Sequence, residues 1–110
     1  MFSLEQRIDF CKGAVQHLNN VRVEQYDGLT IDYCKQVDAH FILRGIRNGG
    51  DFEYERSIAH MNKSLHPEIE TVLIFTDPQF AFIHSTIIRE IMKNKGDVSS
   101  FLPKNITVYG

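Results

Sequence analysis

The stretch that decides the fold is HFILRGIRNGGDFEYERSIAHMNKSLHPEIETVLIFT, residues 40–76. It opens on a continuous apolar run, His40 to Gly45, of the kind expected for a strand covered on both faces. Asp51 to Pro67 reads as a helix capped by Asp51 and stopped by the proline. Residues 70–76 are a second continuously apolar strand. Strand, helix, strand without a hairpin turn describes a parallel pair joined by a crossover helix.

Working outward, SLEQRIDFCKGAVQHL (3–18) is helical: Ser3 and Gln6 form a capping box, and Leu4, Ile8, Cys11, Val15 and Leu18 recur at helical spacing. A short strand is expected around Val21–Tyr26 and a short helix over Leu29–Val37. After residue 76 comes a loop, DPQFAFIH, then a helix with Ser85 as N-cap and Gly96 as the C′ residue. One further helical turn is expected within residues 97–106. This alternation argues an α/β fold: a doubly wound, mostly parallel sheet with helices on both faces. In such sheets ligands bind beyond the carboxyl ends of the strands. Arg44 and the loop from Thr76 to His84 stand there, and both are expected to open into one crevice.

The composition is that of a globular chain: 43% hydrophobic and 24% charged residues leave enough apolar surface for a core. A net charge of −2 gives no bulk attraction to nucleic acid or to a membrane surface. Cys11 and Cys34 read as buried free thiols. The five histidines have no metal-ligand spacing, and of these His84 alone stands beside candidate ligand groups; His60 is expected to be partly buried.

Arg44 and Arg47 flank Gly45 and Ile46 just before a helix N-terminus. Cations gain nothing from that end of the dipole, so the pattern asks for an anion. Arginine supplies planar, charge-assisted bonds to phosphate, and Gly45 lets a ligand approach the backbone; a solvated turn is the plain alternative. Ser85 and Thr86 open a helix whose free N–H groups suit an anion, though they also serve as an ordinary cap. Phe80 and Phe82 suit either a flap over a base or a satellite of the core. Glu55 can orient an arginine or a ribose hydroxyl, or make a surface ion pair.

LRGIRNGGDFEYERSIAHMNKSLHPEIETV together with FIHSTIIREIMKNKGDVSSFLP, the run-in MFSLEQRIDFCKGAV and the segment YDGLT resemble bacterial phosphopantetheine adenylyltransferase. The resemblance implies a Rossmann-like nucleotidyltransferase fold spanning residues 1–110 as a single domain. It implies adenylyl transfer from ATP to 4′-phosphopantetheine, giving dephospho-coenzyme A and pyrophosphate in coenzyme A synthesis. Mg²⁺, a cytoplasmic location and a homohexamer come with it, as does binding of coenzyme A itself. By the same resemblance Arg44 and Thr30 bind phosphopantetheine. Gly45, Ile46, Arg47 and Glu55 bind ATP, with Phe80, Ala81, Phe82, Ile83, His84, Ser85 and Thr86. His84 stands where that family has a hydroxyl residue.

The family's opening strand–helix unit, with its T/H-x-G-H signature and a following lysine, has no counterpart here. On that basis the chain is expected to be N-terminally truncated and inactive by itself. The alternative is a non-catalytic α/β module that binds a nucleotide or pantetheine.

Overall fold

The computed structural model describes residues 1–108. They form two compact units, one of residues 26–82 and one of residues 1–25 with 83–108.

The 26–82 unit is built on the opening stretch. Its elements are α2 (Thr30–Gln36), β1 (Phe41–Ile46), α3 (Gly49–Leu65) and β2 (Glu70–Phe75); α1 (Leu4–Val15) belongs to the other unit. The two strands pair in parallel, with Phe41 opposite Glu70, Arg44 opposite Leu73 and Ile46 opposite Phe75. The ladder runs from Glu70 N–H donating to His40 O at 3.0 Å to Thr76 N–H donating to Ile46 O at 2.8 Å. A parallel pair needs a crossover, and α3 is that crossover. The α/β class with a parallel sheet is as the alternation implied. The sheet has two strands among the described residues.

Period-2 alternation divides the sheet between two faces. Ile42, Arg44 and Ile46 share the face that α3 covers. Phe41, Leu43, Val72 and Ile74 share the other, and all four are exposed, Phe41 by 67% and Leu43 by 64%. Cover on both faces, expected from the apolar runs, is therefore not found for β1 and β2. The core of the unit lies at the entry to the strands. There Ile31, Cys34 and Ile69 are buried, with Ala39 and Ile42 packed on them. Each fully buried isoleucine contributes roughly 1.5–3 kcal/mol.

The strand expected around Val21–Tyr26 is absent; that segment is irregular. Alternating valines are a local pattern, and a strand also needs a partner's backbone. The start of α3 also differs from expectation. Asn48, not Asp51, is the N-cap, and its Oδ1 accepts from Asp51 N–H at 2.8 Å. The Asp51 carboxylate is turned back to the preceding strand end instead.

The second unit holds α1 (Leu4–Val15) and α4 (Ser85–Lys93), with single 3₁₀ turns at Ser99–Phe101 here and Pro78–Phe80 in the other unit. The Ser3/Gln6 capping box is formed, at 2.8 and 3.1 Å. No residue of α1 is buried, so Cys11 is exposed, while Cys34 is buried as expected. His60 of α3 is exposed too.

The C-terminal stop of α4 differs instructively. Lys95, not Gly96, takes the left-handed conformation, with φ 60°. Lys95 N–H donates to Met92 O at 3.0 Å and Gly96 N–H to Ile91 O at 2.9 Å, the paired bonds of a Schellman motif. Gly96 is required for space: a Cβ there would fall 2.5 Å from Ile91 Cγ2. Two substitutions separate these roles. Lys95→Gly removes a left-handed side-chain penalty and should raise stability by about 1 kcal/mol. Gly96→Ala should lower it by roughly 1–3 kcal/mol through overpacking. Urea unfolding midpoints measure both, and equal effects would contradict the assignment.

Candidate functional site

The central arginine of β1 meets the second turn of α3. Arg44 Nε donates to both carboxylate oxygens of Glu55 at 3.1 Å, and Nη2 donates to Oε1 at 2.8 Å. Glu55 is the one buried charged residue among the described residues, 7% exposed, and Arg44 is about half exposed. The arrangement follows from the sequence. Even-numbered residues of β1 face α3, so a polar residue in mid-strand has to find its partner there. Glu55 sits one turn beyond Asp51, on the covered side. The bonds to Glu55 hold the Arg44 pKa above its ordinary value, opposed by desolvation and helped by the Glu55 charge and by the nearby Tyr26 and Tyr54.

This ion pair forms one wall of a pocket of about 190 Å³. α3 contributes Glu55, Ile58, Ala59 and Asn62, the i, i+3, i+4 and i+7 positions of one helical face. β1 adds Ile42 and Arg44, and Thr71 comes from β2. Tyr26 and Thr30 close the far side, with their hydroxyl oxygens 2.5 Å apart. The structure thus brings together Thr30, Arg44 and Glu55 of the residues expected from sequence. Tyr26 and Asn62 were missed. Asn62 could have been found by extending the helical face of Glu55 by two turns.

Arg47 follows at the strand end. Its backbone N–H and its Nε both donate to Asp51 Oδ2, at 3.0 and 3.1 Å. Asn48 and Asp51 therefore brace the turn in both directions: one caps the helix, the other holds the residue before the cap. Gly45 lies within β1, and a methyl there would meet Thr76 Oγ1 at an ordinary 3.8 Å. Packing does not demand glycine at this position. What the missing side chain leaves is accessible backbone on the exposed face of the strand.

Phe80, Ala81 and Phe82 belong to the 26–82 unit, Phe80 and Phe82 being exposed. Ile83, His84, Ser85 and Thr86 belong to the other unit. His84 is the N-cap of α4, without a side-chain capping bond, so Ser85 and Thr86 are its first two helical residues. The expected cap is displaced by one position. Ile88 N–H closes the first turn on His84 O at 3.0 Å, and the Thr86 hydroxyl accepts from Arg89 Nη2 at 3.4 Å.

Residues 1–91 match the cytidylyltransferase-like family. The chain belongs to that family. Cytidylyltransferase-like domains serve nucleotidyl transfer and take a nucleoside triphosphate as substrate. The match spans Arg44, Arg47, Glu55 and the start of α4, so each candidate group lies inside it. Among the described residues, no group of three or more His, Cys, Asp or Glu side chains is placed to hold a metal ion. No helix among them is long and apolar enough to cross a membrane.

The ion pair makes a defined prediction. Glu55→Gln keeps the shape but removes the charge that Arg44 faces. With Arg44 half exposed, the loss should be about 1–2 kcal/mol, less than for a fully buried pair. A raised arginine pKa contributes stability that is complete below the ordinary guanidinium value and is lost only as pH rises through the raised one, far above neutrality. The difference between the parent and Glu55→Gln should therefore be the same at pH 6 and pH 9, as read from urea midpoints. A difference confined to one end of that range would show that Arg44 is not the partner that matters.

Proposed function

We propose that this chain serves adenylyl transfer from ATP to 4′-phosphopantetheine, giving dephospho-coenzyme A and pyrophosphate. The observation that carries the reading is the fork of Arg44 on Glu55. Nε and Nη2 are taken by the carboxylate, so the guanidinium plane is fixed, and among the described residues Nη1 keeps its donors for a ligand. A planar cation held in mid-strand beside a small pocket is suited to a phosphate monoester.

In this reading Arg44 and Thr30 hold phosphopantetheine. Gly45, Ile46 and Arg47 hold ATP. Glu55 serves ATP indirectly, by fixing the strand from which that turn projects. Phosphoryl transfer of this kind is catalysed by positioning and by charge, and positioning is what these residues supply. Mg²⁺, when bound, neutralises charge on the phosphate oxygens. The protein is read as a cytoplasmic homo-oligomer, a hexamer by likeness to phosphopantetheine adenylyltransferases, able to bind coenzyme A.

A second reading is a module that binds a nucleotide or pantetheine without catalysing. The first reading differs from it in requiring both substrates to bind.

Calorimetry with each ligand tests this. Arg44→Lys keeps the charge opposite Glu55 but loses the fork. It should weaken phosphopantetheine roughly 10-fold, the scale of one charge-assisted bond, and leave ATP unchanged. Arg47→Ala should do the reverse. A parent chain that binds neither ligand, or both substitutions acting on the same one, would overturn the reading.

A further inference from the structure

The unit of residues 1–25 and 83–108 has a cavity of its own, none of whose lining belongs to the candidate site. α1 contributes Phe10, Cys11 and Ala14, and α4 contributes Ile88 and Met92, one turn apart. Leu102 and Ile106 close it from the C-terminal segment. The space is about 260 Å³, and apart from the Cys11 thiol every side chain lining it is apolar. An apolar cavity of about 150 Å³ takes a benzene ring, so this one has room for a chain of more than six carbons.

A larger opening of about 670 Å³ shares Met92, Leu102, Ile106 and Val108 with the first, and Lys93, Lys95 and Asp97 stand around it. The apolar cavity and this charged mouth are two parts of one groove. Its three charges are not equivalent. Asp97 is occupied, accepting from Ser99 N–H at 2.9 Å. Neither lysine has an acidic partner among the described residues. Nor does the helix end need them, because the Schellman bonds of Lys95 and Gly96 already satisfy Met92 O and Ile91 O. Lys95 says more than Lys93. It holds φ 60°, where glycine would be more stable, so its ammonium stands at the mouth against the preference of the backbone.

We propose that this groove binds a medium-chain alkyl carboxylate, with its chain between α1 and α4 and its carboxylate at Lys93 and Lys95. Charge and shape together select the class. A neutral apolar molecule would leave both ammonium groups unanswered, and a short acid would leave the cavity unfilled. The proposal does not depend on the reading of the Arg44 pocket.

Calorimetry on the full chain tests it with octanoate, 1-octanol and butanoate. Octanoate should bind about 10-fold more tightly than 1-octanol, the scale of one charge-assisted bond. It should exceed butanoate by more, since butanoate lacks four of its methylenes. Lys95→Gly should weaken octanoate about 10-fold, leave 1-octanol unchanged and raise the urea midpoint. A merely structural role for the side chain would not separate those readings. Ala14→Leu, which fills the cavity, should abolish binding of both without lowering the midpoint.

Equal affinity for octanoate and 1-octanol would overturn the proposal, as would octanoate binding that Lys95→Gly leaves unchanged. Attachment of the chain to phosphatidylglycerol vesicles without binding of free octanoate would overturn it too, since a lipid surface would then be the occupant. None of these results bears on ATP or phosphopantetheine, whose binding is measured separately.

Discussion

A carboxylate buried under a helix has to be answered by a cation, and in this protein that requirement ties helix to sheet. Glu55 is almost wholly removed from water, and uncompensated it would cost several kcal/mol. Arg44 answers it from the middle of β1 with two of its nitrogens. The pair therefore fixes which turn of α3 lies over which residue of the strand. From that register follow the pocket wall, the helical face that completes it and the exit of the chain at Arg47. A hydrophobic contact would have allowed α3 to slide; a two-point charged fork does not.

What could be read from the sequence was what local chemistry decides. The Ser3/Gln6 box, the proline stop of α3 and the two apolar strands each depend on neighbours within a few residues, and each is found. Boundaries moved at two helix starts. Asn48 took the cap that Asp51 was expected to fill, and His84 stands where Ser85 was expected. The Val21–Tyr26 strand failed because pairing is not local. The candidate site follows the same rule. Arg44 announced itself by ending an apolar run, whereas Tyr26 belongs to the pocket only through the path of the chain into α2.

The exposed face of the sheet shows the limit of the binary pattern. Phe41, Leu43, Val72 and Ile74 carry the same apolar signal as the residues facing α3, yet they stand in solvent. An apolar run states that a strand can be covered on both sides; it does not state what covers it.

The turn between β1 and α3 has a consequence for how a ligand would be received. Gly49 and Gly50 give this segment many conformations in the unfolded chain, and folding removes them through the bonds between Asn48, Asp51 and the Arg47 amide. That ordering is complete before any ligand arrives. A phosphate meeting Arg44 and Arg47 would encounter a surface already set, and the entropy of fixing two glycines would not be subtracted from its affinity. The flexible-looking letters of this segment thus describe the unfolded chain, while the folded turn is preorganised.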